Sequence, residues 1–371
     1  MNQDSNLIYQ KESVLKIDPA AIAHNLNVIR SITKGKIIAV VKENGYGMGL
    51  YNEYSILKDL HPSLYAVTNA SEALALRSFG CEEDILLMSP VLDSGECLAL
   101  LNKDILFMLG SEEEAALLGA AARETGRTPR VHLKIDTGMG RYGFFYNRLP
   151  DLKSLTEWVK VEGCYTHLAG KPKNYEKNAR LQADRFRQAL DTIRSCGIDP
   201  GLCHISNSQA VMTLGDLGFD AVRVGSALIG KAASGGQKLK TALWMESRIY
   251  QKFQRKKGDT IGYQSTARLK RDSTLGLIHV GHSDGVFLAY GDTPEKFIHG
   301  CLHLAATVLL KKRYQKCVYL AGRPVPLIGR LGIAHMVIDL TDVPALVGDM
   351  VKIPVNPLLI HPFIPKEFVK E

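Results

Sequence analysis

Lys42 closes the apolar run Ile-Ile-Ala-Val-Val-Lys (37–42), and a loop with Tyr46 and three glycines follows it. A run rich in Ile and Val reads as a strand, so it delivers a single amine to a strand end. Partial desolvation there frees an amine as a nucleophile, which is what a Schiff base to an aldehyde requires. Other chemistry-bearing residues fall at similar places. Arg141 follows the run 130–136, His167 closes Tyr-Thr-His, Asn207 and Ser208 close His-Ile-Ser-Asn-Ser, and Arg223 precedes Gly225 and Ser226. Singly, an Arg or His at a strand end is commonly structural. Together these positions point to one shared site. Ser208, Gly225 and Ser226 add small side chains and open backbone N–H groups suited to a phosphate. A Schiff-base lysine opposite a phosphate site suggests pyridoxal 5′-phosphate (PLP).

The elements that must position these residues alternate in type. Strand-like runs at 36–41, 64–68, 84–89, 105–110, 130–136, 161–169, 201–206 and 220–224 are rich in Ile, Val and Leu, as strands buried on both faces are. Helix signals lie between them. Asp18-Pro19 is an N-cap with proline in the first turn, and Ile22, Leu26 and Ile29 share the face that follows. Ser111 opens another helix with three glutamates at its positive end. An amphipathic pattern with Leu181, Phe186 and Leu190 spans 176–195. Eight strands and their helices match an α/β fold of the TIM (β/α)8 type, whose site lies at the C-terminal strand ends. A doubly wound sheet is the runner-up. After a linker at 231–240 the pattern changes to short strand-like runs at 243–251, 274–280, 301–310, 316–320 and 334–340. The expected division is therefore a cofactor-binding barrel, 14–235, and a mainly β domain of 1–13 and 236–371.

Composition excludes several classes. With 371 residues, 46% hydrophobic and 23% charged, the chain reads as an ordinary globular one. The net charge of +8 is a scattered excess; Lys311-Lys312-Arg313 is its densest cluster, and no nucleic-acid-binding motif accompanies it. No apolar run is long enough for a membrane helix, and the polar N-terminus shows no secretory signal. Seven widely spaced cysteines without CxxC pairs argue for reduced thiols, a cytoplasmic setting and no metal site.

Val-Val-Lys-x-Asn-x-Tyr-Gly, Lys-Ile-Asp-Thr-Gly-Met-Gly-Arg-Tyr-Gly-Phe, Tyr-Thr-His-Leu-Ala, Ser-Asn-Ser and Val-Arg-Val-Gly-Ser-Ala stand in this order along the chain. Together they resemble the alanine racemase family of fold-type III PLP enzymes, over about residues 14 to 350. The resemblance implies a PLP-dependent racemase of a small amino acid such as alanine or serine, built as a homodimer with shared active sites. It implies that Lys42 carries PLP as a Schiff base and moves a proton at the substrate α-carbon. Tyr46, Ser208, Gly225 and Ser226 would hold the phosphate, with Asn207 beside them. Arg223 would face the pyridine nitrogen, with His167 supporting the ring. Arg141 would bond the cofactor phenolate or the substrate carboxylate, and Lys134 matches a lysine often carbamylated to orient that arginine. A guanidinium does not give its proton to the ring nitrogen, which argues for α-proton transfer over transamination.

Three departures bear on the second half of the chemistry. Where the family places a tyrosine from the partner subunit in Gly-Tyr-x-Asp-Gly, this chain has Gly281-His282-Ser283-Asp284-Gly285. An imidazole is a competent general acid and base, so His282 is the candidate for the second α-carbon face. The family's Gly-Arg-x-Cys-Met-Asp appears as Gly329-Arg330-Leu331-Gly332-Ile333-Ala334, which makes Gly332 and Ile333 the substrate-facing residues and leaves room for a side chain larger than methyl. No tyrosine follows Tyr319, and His335 and His361 are the polar residues in that tail. Met48, where the family often has histidine, reads as packing. One-sided α-carbon chemistry (decarboxylation, aldol cleavage or exchange) and a non-catalytic PLP-binding protein are the alternatives.

Overall fold

The computed structural model describes residues 12–170, 174–231, 239–288 and 316–369. It divides into two compact units. One is Pro19–Ala242, and the other joins the residues up to Asp18 to those from Leu243 onward.

Unit Pro19–Ala242 is a closed parallel barrel. Its eight strands are Lys36–Val40, Leu64–Val67, Ile85–Leu87, Leu106–Leu109, Arg130–Asp136, Lys160–Tyr165, Leu202–Ser206 and Ala221–Val224. Each pairs in parallel with the next, and Ala221–Val224 closes onto Lys36–Val40, with Ala221 opposite Lys36. This is the TIM architecture expected from the alternating pattern. The helix Pro19–Ile32 buries Ile22, Leu26 and Ile29, and Ser111 caps the helix Glu112–Thr125 by accepting the Glu114 N–H. The helix Tyr175–Ser195 buries Phe186 and Leu190, whereas Leu181 is exposed.

Side chains alternate across each strand, so every second residue points into the barrel. Ile38, Val40, Leu64, Ala66, Leu86, Leu106 and Ala221 pack together as an apolar layer. The opposite wall is polar: His132, Lys134, Tyr165, His204 and Arg223 are all buried. Gly163 makes this wall possible, since a Cβ there would lie 2.5 Å from the His132 ring.

In the second unit, Leu243–Arg255 is the long central strand, antiparallel to Val14–Ile17, Met350–Ile353 and Ser273–Ile278. Strands Met336–Asp339, Arg323–Ile328 and Cys317–Leu320 complete an antiparallel ring back to Met350–Ile353. Val14–Ile17 thus belongs to this sheet, with Lys366–Phe368 parallel beside it. Arg323–Ile328 carries two prolines and did not read as a strand. Pro324 and Pro326 pair with Tyr319 and Cys317, while pairing to the other neighbour begins at Leu327, so neither ring removes a ladder hydrogen bond there. The run 301–310 and most of the 231–240 linker lie outside the described residues.

Candidate active site

Lys42 stands two residues beyond the first barrel strand in extended backbone (φ −133°, ψ 166°), half-buried. The loop after it is a left-handed turn: Glu43, Asn44, Gly45 and Tyr46 have φ of 53°, 54°, 63° and 49°. Left-handed backbone costs a non-glycine residue roughly 1–2 kcal/mol, and such strain persists where surrounding contacts over-determine it. Here they do. Asn44 donates its N–H to Glu72 Oε1 (3.0 Å) and accepts from the Leu50 N–H through Oδ1 (3.0 Å), and Met48 is wholly buried. The turn carries the Tyr46 phenol into the barrel mouth.

There the phenol lies against Gly225 and beside the Ser226 backbone, and burial, with Glu53 nearby, pushes its pKa upward. Ser208 Oγ accepts the N–H groups of Gly225 (3.1 Å) and Ala227 (3.2 Å). The Ser208 hydroxyl, having accepted two N–H groups, keeps its own proton to donate, which is the arrangement an anion needs. Gly225 is required: a Cβ there would sit 2.1 Å from the Tyr46 oxygen. Asn207 caps the helix Ser208–Leu214 through the Ala210 N–H (2.9 Å) and accepts from Tyr175, so its amide acts by placing Ser208.

Arg223 is buried and heavily engaged. Nη1 lies 2.8 Å from His204 Nδ1 and donates to His204 O (3.0 Å); Nη2 donates to Thr166 O (2.7 Å) and Ile205 O (3.4 Å). Nε–H has no partner among the described residues. Burial draws the guanidinium down to about 10, so it stays charged at neutral pH. His204 Nε2 in turn lies 2.9 Å from His132 Nδ1. The sequence carries one sign of this relay: His132 shares its strand face with Lys134.

His167 is largely buried beside Arg223, Arg141, Lys134 and Lys42; burial first, and then these charges, lower it to about 3. The barrel end thus gathers four cations. The nearby carboxylate, Asp136, is spent on the N–H groups of Gly138, Met139 and Gly140. Arg141 is exposed in that loop with no hydrogen-bond partner among the described residues. Lys134 packs under Gly143, where a Cβ would lie 2.7 Å from its Cγ, and donates to Ile135 O (2.8 Å). Burial, reinforced by Arg223, lowers it to about 8.

His282 is exposed in the second unit, on the turn His282–Asp284. Its N–H donates to Gly332 O (3.0 Å), and Ser283 donates both N–H and Oγ–H to Ile333 O (2.9 Å each). The departures at 282 and 332–333 are therefore one hydrogen-bonded patch. A Cβ on Gly332 would lie 3.1 Å from Tyr263 Cε2 and from His335 O, so that side of Gly332 is filled from within the protein, while Ile333 is 72% exposed.

A TIM barrel with a strand-end lysine, a serine hydroxyl free to donate and a buried guanidinium, followed by a mainly β unit, is the plan of a fold-type III PLP enzyme. Family patterns described as "Alanine racemase, N-terminal domain" and "Alanine racemase, C-terminal domain" match residues 17–233 and 242–357. The chain is 30% identical to an alanine racemase of Symbiobacterium thermophilum, over 91% of this chain and 85% of that one. It is 31% identical to that of Mycobacterium tuberculosis, over 76% of each. Among solved structures, an alanine racemase from Clostridium difficile superposes with a TM-score of 0.82 at 22% identity, covering 97% of this chain and 96% of that one, which speaks to the fold. This chain belongs to the alanine racemase family of PLP-dependent isomerases.

Proposed function

We propose that this chain interconverts the L- and D-forms of a small amino acid, alanine or a close relative such as serine, with PLP held on Lys42. The observation that carries the reading is the hydroxyl cradle of Ser208 and Tyr46 at the barrel end that also carries Lys42, Arg141 and Arg223. A phosphate and a substrate carboxylate are the charges that such a site lacks. Bound there, PLP supplies the aldehyde for the Schiff base and a ring that draws electrons from the α-carbon.

The residues divide the remaining work. Tyr46, Ser208 and Ser226 hold the phosphate; the Gly225 N–H, expected to be open, is spent on Ser208 Oγ, so Gly225 serves by leaving room for the Tyr46 phenol, and Asn207 holds Ser208 in place. Arg223 keeps its proton from the ring nitrogen, which favours return of a proton to the α-carbon over transamination. His167, kept neutral, would support the ring without adding charge. Arg141 takes the substrate carboxylate, with Lys134 beside it. Lys42 carries the proton on one face. His282, with Gly332 and Ile333 at its side, serves the opposite face from the partner's β unit, which makes the working enzyme a homodimer. The six described cysteines are free thiols, which fits a cytoplasmic setting, and no helix among the described residues is long and apolar enough to cross a membrane.

Proton NMR of the PLP-loaded protein with L-alanine and then L-serine in D₂O, followed by chiral analysis, tests the reading. Exchange with inversion supports it. Exchange with retention, or release of CO₂ or an aldehyde, replaces it by one-sided chemistry. His282→Ala then decides the second group: unchanged turnover in both directions removes His282 from the role.

A further inference from the structure

Glu53 is 1% exposed, and both of its carboxyl oxygens lack a hydrogen-bond partner among the described residues. It sits in the helix Leu50–Leu57, directly under the left-handed turn that carries Tyr46. A Cβ at Gly45 would lie 3.2 Å from Glu53 Cβ and 3.3 Å from Oε2, so side chain and turn are in van der Waals contact. The groups facing it offer no positive charge. Glu72, on the helix Ala70–Ser78, and the phenols of Tyr46 and Tyr65 are its titratable neighbours. No Lys or Arg pairs with it among the described residues. A charge here would be unsolvated, unpaired and repelled by Glu72, which burial does not tolerate. A neutral acid of the same shape fills the space at far lower cost.

We propose that Glu53 is a positioning residue, a neutral carboxylic acid that buttresses the left-handed turn, and that loss of its proton releases the turn and with it Tyr46 and the Lys42 backbone. The direction of its titration agrees, since burial first and Glu72 second hold its pKa well above the ordinary glutamate range. A raised pKa in the folded state contributes stability that is complete at low pH and is lost as pH climbs through the folded value. The device would therefore set an alkaline limit on cofactor retention. That last clause rests on the function proposed above; the buttress itself does not.

Glu53→Gln keeps the shape and removes the titration, and Glu53→Met replaces it by an apolar chain of similar length. The melting temperature of wild type and variants, read without added PLP from pH 7 to pH 10, is the first measurement. We expect the wild type to lose stability relative to Glu53→Gln as pH rises; parallel curves overturn the proposal. Visible absorbance of bound PLP over the same range should fall earlier in wild type than in Glu53→Gln. A protein that binds no PLP at any pH overturns the function and leaves the melting comparison to judge Glu53. Should both variants fail to fold, infrared spectroscopy of the wild type decides: a neutral-carboxylic-acid carbonyl band persisting above pH 7 supports the buttress, and complete ionisation by pH 6 overturns it.

Discussion

Arg223 Nη1 and His204 Nδ1 stand 2.8 Å apart inside the barrel, and that contact fixes where two histidines carry their protons. A guanidinium only donates, so His204 Nδ1 accepts. The His204 proton then sits on Nε2 and is donated to His132 Nδ1, 2.9 Å away, which leaves the His132 proton on Nε2 as well. Nitrogen-15 NMR of the imidazoles at pH 7 should show both rings neutral and both protonated at Nε2. A proton on Nδ1 of either ring would mean that the relay does not run through Arg223.

The same relay makes the fold sensitive to acid. Burial lowers His132 to about 4 and holds His204 well below the ordinary histidine range. A base whose pKa falls on folding binds its proton more readily when unfolded, so the stability it contributes is present above about 6.5, the unfolded value, and is lost as pH falls toward 4. For His132 the slope is about 1.4 kcal/mol per pH unit within that window. Glu53 titrates with the opposite sign, so the difference between variants is the informative quantity. Urea unfolding of His132→Gln should give a stability curve flatter than wild type by about that slope between pH 6 and 4.5, and equal slopes would show that His132 is not held neutral.

Gly225 is defined by the space its missing side chain leaves to the Tyr46 phenol, 2.1 Å from the would-be Cβ. Gly225→Ala must displace either the phenol or the loop that presents the Ser226 N–H. We expect PLP affinity to weaken at least about tenfold, the equivalent of about 1.4 kcal/mol, in addition to the roughly 1–3 kcal/mol of unfolding free energy that overpacking takes from the cofactor-free protein. Unchanged PLP affinity would take the Tyr46–Ser226 contact out of the phosphate site.

What was legible in the sequence was whatever depends on one strand at a time. Lys42 and Arg223 end apolar runs, and period-two alternation carries each onto the same face as Val40 and Ala221. What was not legible depends on closure. His132 and His204 are 72 residues apart and meet only because parallel strands Arg130–Asp136, Lys160–Tyr165 and Leu202–Ser206 stand side by side with Gly163 between the rings. Nor does Glu-Asn-Gly-Tyr announce a left-handed turn. Its conformation is imposed by Glu72, Leu50 and the packing of Glu53, all of them outside the motif. Val14–Ile17 precedes the first barrel helix in sequence, yet its hydrogen bonds go to Leu243–Arg255, more than two hundred residues downstream.

Lys134 offers the last test, because its surroundings favour the uncharged amine that reacts with CO₂. Buried under Gly143, with Arg223 and Arg141 as neighbouring charges, it is lowered to about 8. An amine with that value is about half neutral at pH 8, where an ordinary lysine is almost wholly protonated. Addition of CO₂ would turn a third like charge beside Arg223 and Arg141 into an anion, relieving the repulsion that lowers it and giving Arg141, which has no hydrogen-bond partner among the described residues, a carboxylate to bond. Carbon-13 NMR of protein equilibrated with labelled bicarbonate at pH 8 should show one carbamate signal that Lys134→Gln abolishes. Lys134→Gln should also raise KM for the amino acid more than it lowers kcat, since Arg141 is the group left unanchored. No carbamate signal in the wild type would mean that Lys134 acts as an amine, tied to the Ile135 carbonyl at 2.8 Å.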